Sequence, residues 1–361
     1  MCGIVGMINS SEFQRRDFPN MVKAINHRGP DADGVWYEDS VGVALGHARL
    51  SVIDVSNAGA QPMLSASGRY VLIYNGELYN HQKLRLMIQK DFGVENWRGE
   101  SDTETLLVMI ERLGIEASLN LINGMFAFAV WDRADKVMTI ARDRIGEKPL
   151  YFGTVDGAAI FCSELHSVRA NKALPLKIDE QAVSAFGQFG FIPAPHSIYD
   201  SVNKLPPGCI GSYAMSRKDW TVTRFWRTVE LATENVKSQI SCTDEQVLQK
   251  VESTLLDVVE QEMISDVPFG AFLSGGVDSS LVVSMMQKIS STPVATFTIG
   301  FKQQGFNEAE HAKQVASHLQ TDHSELYIDD SDLLNIVPKM GTLFDEPFAD
   351  ESAIPLSLIH I

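Results

Sequence analysis

Apolar residues follow two patterns along this chain. Through about residue 165 they come in short unbroken runs, as expected of strands buried on both faces. Residues 41–55 are mostly small or β-branched, Tyr70-Val71-Leu72-Ile73-Tyr74 is apolar throughout, and residues 125–131 and 137–141 are further runs. Two helices are expected among these strands. One start is explicit, because Ser101-Asp102-Thr103-Glu104 has capping-box spacing and Leu106, Leu107, Ile110 and Leu113 follow at helical intervals. Pro206-Pro207-Gly208 marks a turn in a linker-like stretch from 204 to 211. Beyond about residue 242 the period lengthens. Leu248, Val251, Leu255, Val258 and Val259 predict one face of a long helix, and Ala312, Val315, Ala316 and Leu319 another. Between them lie a short strand at 270–273, an apolar helix at 281–286 and a strand at 294–299. Alternating helices and short apolar strands predict a parallel sheet.

These patterns predict a strand-rich domain over residues 1–211, a linker over 212–245, and an α/β domain over 246–361. The second domain is expected to be incomplete at its C-terminal end. It offers two or three strands, where doubly wound sheets usually have about five or six. The terminal Leu356-Ser357-Leu358-Ile359-His360-Ile361 carries no capping signal, and some of these residues are expected to be foreign to the protein.

Composition excludes several function classes. Of 361 residues, 45% are hydrophobic and 21% charged, as in ordinary globular proteins. The net charge of −16 argues against a general nucleic-acid-binding role, although backbone amides and a few local cations can still bind nucleotide phosphates. Cys2, Cys162, Cys209 and Cys242 lie far apart, without CxxC or zinc spacing, which fits a reducing compartment. The N-terminal stretch lacks the basic region of a secretory signal. No window approaches the ~20 apolar residues of a membrane span. A cytoplasmic protein with no membrane association is expected. His311, His318 and His323 show no metal spacing. Trp97, Trp131, Trp220 and Trp226 are expected to pack, and Cys162, Cys209 and Cys242 to be buried thiols.

Candidate chemistry begins at Met1-Cys2-Gly3. Removal of Met1 would leave a cysteine carrying a thiol and a free α-amine on adjacent carbons. That amine has an ordinary pKa of about 7.7–8.0, so it can serve as base to its own thiol. The bland alternative is a small buried residue. Asn75-Gly76 at the end of an apolar run could be a hairpin turn, or a side-chain amide and backbone N–H forming an oxyanion hole. Arg49 could bind a carboxylate bidentately, or be an exposed or paired arginine. Asp102 could hold an ammonium group, or pair with its helix dipole. A second constellation, Leu273-Ser274-Gly275-Gly276-Val277-Asp278-Ser279-Ser280, lies between a strand and a helix. Glycines let amides approach an anion, serines add hydroxyls, and the helix N-terminus favours phosphate. No Gly-Lys-Ser/Thr follows, so it is not a Walker A loop. Asp278 is placed to hold Mg²⁺ against a phosphate.

The second constellation resembles the PP-loop of the ATP pyrophosphatases, which implies AMP transfer to an oxygen with release of pyrophosphate. Met1-Cys2-Gly3-Ile4, His27-Arg28-Gly29-Pro30-Asp31, Arg49-Leu50-Ser51, Tyr74-Asn75-Gly76-Glu77-Leu78-Tyr79-Asn80, Ser101-Asp102-Thr103-Glu104 and the string from Ala141 to Tyr151 resemble the class II glutamine amidotransferase domain. That resemblance implies an α+β N-terminal-nucleophile fold, an αββα sandwich, followed here by a partial α/β parallel-sheet PP-loop domain. It implies glutamine hydrolysis through a thioester on Cys2. Arg49, Asn75, Glu77 and Asp102 would hold glutamine, and Asn75 and Gly76 would form the oxyanion hole. The two halves in this order resemble the glutamine-hydrolysing asparagine synthetase family, over the chain to about Pro355.

The family resemblance implies glutamine, aspartate and ATP as partners, Mg²⁺ at Asp278, an internal ammonia tunnel, and leaves room for a homodimer. Leu273, Ser274, Gly275, Gly276, Asp278, Ser279 and Ile299 would bind ATP, with Leu273 and Ile299 flanking adenine or ribose. Phe344-Asp345-Glu346-Pro347-Phe348-Ala349-Asp350 resembles a family segment at the synthetase site. A later Ser-Gly-x-Gly-x-Asp-Glu segment of this family does not occur through residue 361, so the synthetase half is expected to lack essential parts. Two rival readings are a relative amidating a sugar acid or peptide intermediate, and a non-catalytic glutamine- or ATP-binding relative.

Overall fold

The structure, a computed structural model, describes residues 1–94, 96–236, 241–301, 308–350 and 353–354. Pro355 and the terminal Leu356-Ser357-Leu358-Ile359-His360-Ile361 lie outside the described residues. The chain divides into two units, Met1–Lys237 with Asp345–Phe348, and Ser238–Phe344 with Ala349–Ile361.

The first unit contains two six-stranded sheets. Its strands are β1 (Gly3–Ile8), β2 (Ala32–Glu38), β3 (Val43–Arg49), β4 (Met63–Leu64), β5 (Tyr70–Leu78), β6 (Gly124–Asp132), β7 (Val137–Arg142), β8 (Tyr151–Val155), β9 (Ala158–Cys162), β10 (Val202–Lys204), β11 (Cys209–Ala214) and β12 (Asp219–Arg224). One sheet runs β10-β8-β9-β1-β3-β2 and the other β12-β11-β7-β6-β5-β4. Every strand pair in them is antiparallel.

Side-chain alternation explains why these strands read as unbroken apolar runs. Ile4 and Ile8 of β1 and Val43 and Leu45 of β3 share one core with Val71 and Ile73 of β5 and Ala127, Ala129 and Trp131 of β6. The intervening Val5, Met7, Ala44 and Ala48 face the other way, onto Phe18, Met21 and Val22 of the helix Phe18–Lys23. Leu72, Tyr74, Phe126 and Phe128 likewise pack on Leu84, Ile88, Leu106 and Ile110 of the helices His81–Phe92 and Asp102–Leu113. Both sheets are thus buried on both faces, giving helix, sheet, sheet, helix.

The strand pairing runs past the expected boundary at residue 211. β11 continues to Ala214 and pairs with β12 from Cys209↔Arg224 to Ala214↔Asp219. Trp220 anchors this hairpin, with its ring 5.4 Å from those of Phe152 and Tyr213. The first half of the expected linker is therefore sheet, and a helix Thr228–Val236 follows.

In the second unit, β13 (Gly270–Phe272), β14 (Ala295–Phe301) and β15 (Asp322–Ile328) form a three-stranded parallel sheet in sequence order. The helices Asp244–Glu262, Val277–Ile289 and Ala309–Leu319 alternate with them. Cys242 is exposed, not buried as expected, because it immediately precedes the Thr243 cap of the first of these helices. Cys162 and Cys209 are buried.

Candidate active site

Cys2 immediately precedes β1, and the pairing Gly3↔Ala48 brings it level with the end of β3. There the Leu50 N–H donates to the Cys2 Sγ at 3.4 Å, and the thiol lies 3.6 Å from the Leu50 carbonyl oxygen. Burial pushes this thiol above its ordinary pKa. The same burial pulls the Met1 amine below its ordinary value. Met1 forms part of the wall of a cavity shared with Cys2, Arg49, Asn75, Gly76, Glu77 and Asp102. The structure thus brings together all six residues singled out for glutamine chemistry.

Asn75-Gly76 is not a turn. Both residues lie inside β5, paired with Ala127 and Phe126 of β6. A Cβ on Gly76 would stand 2.3 Å from the Met125 carbonyl oxygen, so the close approach of these strands requires glycine. The Asn75 side chain is 1% exposed, and neither its Nδ2 nor its Oδ1 has a hydrogen-bond partner among the described residues. Buried amides are ordinarily paired, and an orphan beside a cavity invites a ligand.

The remaining walls are held by hydrogen bonds. Arg49 donates through Nη1 to the Ser56 carbonyl at 2.8 Å and through Nη2 to the Asp54 carbonyl, fixing the guanidinium fork. Asp102 opens its helix, and its Oδ2 accepts from the Tyr74 hydroxyl at 3.0 Å and the Leu78 N–H at 2.9 Å. Burial raises its pKa, while these hydrogen bonds act against the rise. Ser101 caps the helix through the Thr103 N–H, not the Glu104 N–H that a capping box requires. Glu104 instead accepts from the Arg98 and Gly99 N–H groups and pairs with Arg85.

Sequence reasoning missed Lys148, which lines the same cavity at 5% exposure. Burial pulls its pKa down, and the nearby Glu77 charge opposes this. Its position depends on Asp143, whose Oδ1 accepts from the Ile145, Gly146 and Glu147 N–H groups and whose Oδ2 accepts from the Lys148 N–H. Arg28 was also missed as an individual residue. It donates from Nε to the Cys2 carbonyl at 2.9 Å. Both residues lie in strings that carry the family resemblance, which was the only signal for them.

The second unit presents the serine-glycine loop at the carboxyl end of its sheet. Leu273 is buried and donates to the Phe297 carbonyl at 2.9 Å, so the loop leaves β13 beside the level of Ile299 on β14. Gly275 has φ +78°, which favours glycine. Gly276 caps the helix Val277–Ile289. The Ser274 and Ser279 hydroxyls lie 2.9 Å apart across the loop, and the Ser274 N–H donates to Ser279 Oγ. Asp278 stands exposed in the first helical turn. If Mg²⁺ binds here, Asp278 would supply a carboxylate, with the other ligands coming from phosphates and water.

The glutamine amidotransferase domain profile matches residues 1–226, and the asparagine synthase profile matches residues 250–360. Asparagine synthetase 1 (glutamine-hydrolyzing) of Bacillus subtilis is 37% identical over 364 residues, covering 99% of this chain and 55% of its own length. Putative asparagine synthetase 2 (glutamine-hydrolyzing) of Methanocaldococcus jannaschii is 32% identical over 376 residues, covering 98% of this chain and 70% of its own length. A solved structure of glutamine phosphoribosylpyrophosphate amidotransferase from B. subtilis, complexed with ADP and GMP, aligns with 90% of this chain and 65% of its own at 16% identity, with a TM-score of 0.47.

Proposed function

The chain belongs to the glutamine-hydrolysing asparagine synthetase family, and from that premise we propose that it releases ammonia from glutamine at Cys2 and amidates ATP-activated aspartate. The observation that carries the first half is the orphaned Asn75 amide buried in the cavity beside Cys2. Once Met1 is removed, the Cys2 amine takes the thiol proton and sulfur attacks the side-chain carbonyl of glutamine. Asn75 Nδ2 and the Gly76 N–H donate to the oxygen as it gains charge. The amine returns the proton to the leaving nitrogen, ammonia departs, and water cleaves the thioester to glutamate. Arg49 binds the α-carboxylate of glutamine, and Glu77 and Asp102 its ammonium group. The buried Asp102, braced by Tyr74 and Leu78, supports that assignment.

In the second unit, Ser274, Gly275, Gly276 and Ser279 bind the β- and γ-phosphates of ATP. Leu273 and Ile299 flank the nucleoside, and Asp278 holds Mg²⁺. When bound, Mg²⁺ neutralises phosphate charge. The β-carboxylate of aspartate attacks the α-phosphorus and displaces pyrophosphate; ammonia then attacks the acyl carbon and AMP leaves. The four free cysteines support a cytoplasmic location, and among the described residues no helix is long and apolar enough to cross a membrane. The family resemblance supports a homodimer. The chain spans 55% of the length of the B. subtilis relative, so these whole-protein activities belong to the proposal.

Glutamate release from glutamine tests the first half. In a protein carrying both halves in full, Cys2→Ala should abolish glutamine-dependent product and leave ammonia-dependent product intact, and equal loss of both would sink the two-site scheme. ATP–pyrophosphate exchange across a panel of carboxylates tests the acceptor. Exchange with a sugar acid but not with aspartate would favour a related amidotransferase.

A further inference from the structure

The Phe344–Asp350 string was expected at the synthetase site, yet residues Asp345–Phe348 belong to the first unit. Both carboxylates at its start are fully engaged there. Asp345 Oδ2 accepts from the Leu165 N–H at 2.6 Å, and Oδ1 accepts from the His166 N–H at 2.7 Å and lies 2.5 Å from His166 Nδ1. Glu346 accepts from the Ile198 N–H at 2.7 Å and pairs with Lys204 Nζ at 2.7 Å.

The stretch that Asp345 grips leads to the nucleophile. Glu164 Oε1 pairs with Arg28 Nη1 at 2.5 Å, and the same guanidinium donates from Nε to the Cys2 carbonyl. His27 Nε2 lies 2.9 Å from Glu164 Oε2. Burial opposes ionisation of Glu164, but the His27 hydrogen bond and the Arg28 charge outweigh it and hold the carboxyl below its ordinary range. One residue earlier, Ser163 Oγ accepts from the Ile4 N–H at 3.0 Å and the Ser163 N–H donates to the Ile4 carbonyl at 2.9 Å. Residues 163–166 are thus held on one side by Cys2 and Ile4, through Arg28 and Ser163, and on the other by Asp345.

We propose that Glu164 and Asp345 are positioning residues for the Cys2 nucleophile, acting through Arg28 and the backbone of residues 163–166. This rests on reading the Cys2 cavity as a glutaminase. Glu164, His166 and Asp345 bring ligand atoms within 4.8 Å of one another, a spacing that a cation could use. Their lone pairs are already committed, however: Glu164 to Arg28 and His27, and Asp345 to two backbone N–H groups and His166. The cluster is an ion-pair network that transmits position.

The test is a double-mutant cycle on the full chain with Asp345→Asn and Glu164→Gln, reading glutamate release. Each single variant should lower kcat about tenfold or more while KM stays within about twofold, since small displacements of a reacting group carry costs of this size. The double variant should fall little below the worse single one, because both act through one path. Wild-type kcat in Asp345→Asn, or losses that multiply in the double variant, would overturn the proposal and leave the glutaminase reading standing. If the wild-type chain releases no glutamate, that reading fails. Amide hydrogen exchange of the peptide spanning residues 2–8 then decides the positioning role alone: severalfold faster exchange in Asp345→Asn upholds it, and unchanged exchange refutes it.

Discussion

Asn75→Ala separates a functional amide from a structural one, because the two roles predict opposite costs. The side chain is buried, yet neither amide atom has a partner among the described residues. Leaving a buried polar group unpaired costs about 1–3 kcal/mol. Truncation to alanine removes that penalty and at the same time forfeits packing contacts, so the two terms largely cancel. For a domain of this size about 1 kcal/mol moves Tm by 2–4 °C, and Tm should stay within about 5 °C of wild type. The same amide, aimed at a developing oxyanion, contributes about 100- to 1,000-fold to kcat, or ~2.7–4 kcal/mol. Steady-state glutamate release beside a thermal melt reads both numbers. The expected result is a kcat at least a hundredfold lower, a KM within a few fold, and a nearly unmoved melting curve. A fall in Tm of more than about 10 °C with kcat retained would show that the amide holds β5 together, and the oxyanion assignment would fail.

Two further outcomes follow from particular distances. Gly76→Ala places a Cβ 2.3 Å from the Met125 carbonyl oxygen, where only backbone can yield; overpacking of this kind costs about 1–3 kcal/mol or more, so Tm should drop by several degrees, and an unchanged melt would contradict the β5–β6 pairing. His47 is buried with Nε2 3.0 Å from the Tyr74 carbonyl oxygen, and burial lowers its pKa from 6.5 to about 4. Between those pH values the unfolded chain binds a proton that the folded chain excludes, so stability is lost as pH falls through that window, by about 3 kcal/mol in total. Urea midpoints between pH 4.5 and 7 should flatten in His47→Gln relative to wild type; parallel profiles would mean that His47 is protonated in the folded state.

The strands β3, β5 and β6 were legible because they are apolar on both faces, which leaves continuous runs in the sequence, whereas their arrangement in four layers was implied by the family resemblance. β12 was not legible. Its residues are largely exposed, and Asp219, Thr221, Thr223 and Arg224 carry no buried alternation. Its backbone pairs with β11, but among its side chains Trp220 is the one that is partly buried, and one aromatic does not announce a strand. Asn75-Gly76 was ambiguous in principle, since the same dipeptide serves a tight turn or a close strand crossing. What decides it is the β6 backbone, about 50 residues later in the sequence. Lys148 was invisible for a similar reason, because its place in the cavity follows from the turn that Asp143 organises. Asp345 and Glu346 were read by their string as synthetase residues. Where their carboxylates settle is fixed by N–H groups at Leu165, His166 and Ile198, which no local pattern reveals.

On the proposed glutaminase reading, the burial that makes Cys2 a poor acid explains why its chemistry would await removal of Met1. Desolvation raises the thiol and lowers the terminal amine, so both favour their neutral forms. A neutral thiol becomes a nucleophile only if its proton moves to a base as the bond forms. While Met1 is attached, the nitrogen of Cys2 is an amide and cannot accept that proton. Met1 also forms part of the wall of the cavity that glutamine would enter. Removing it therefore supplies the base and opens the site in one step. Arg28 then matters doubly, because the Cys2 carbonyl it holds is bonded to the α-carbon, which bears the amine and the CH2 group that carries the thiol. A shift there would displace acid, base and nucleophile together, and a Glu164–Asp345 clamp resists such a shift.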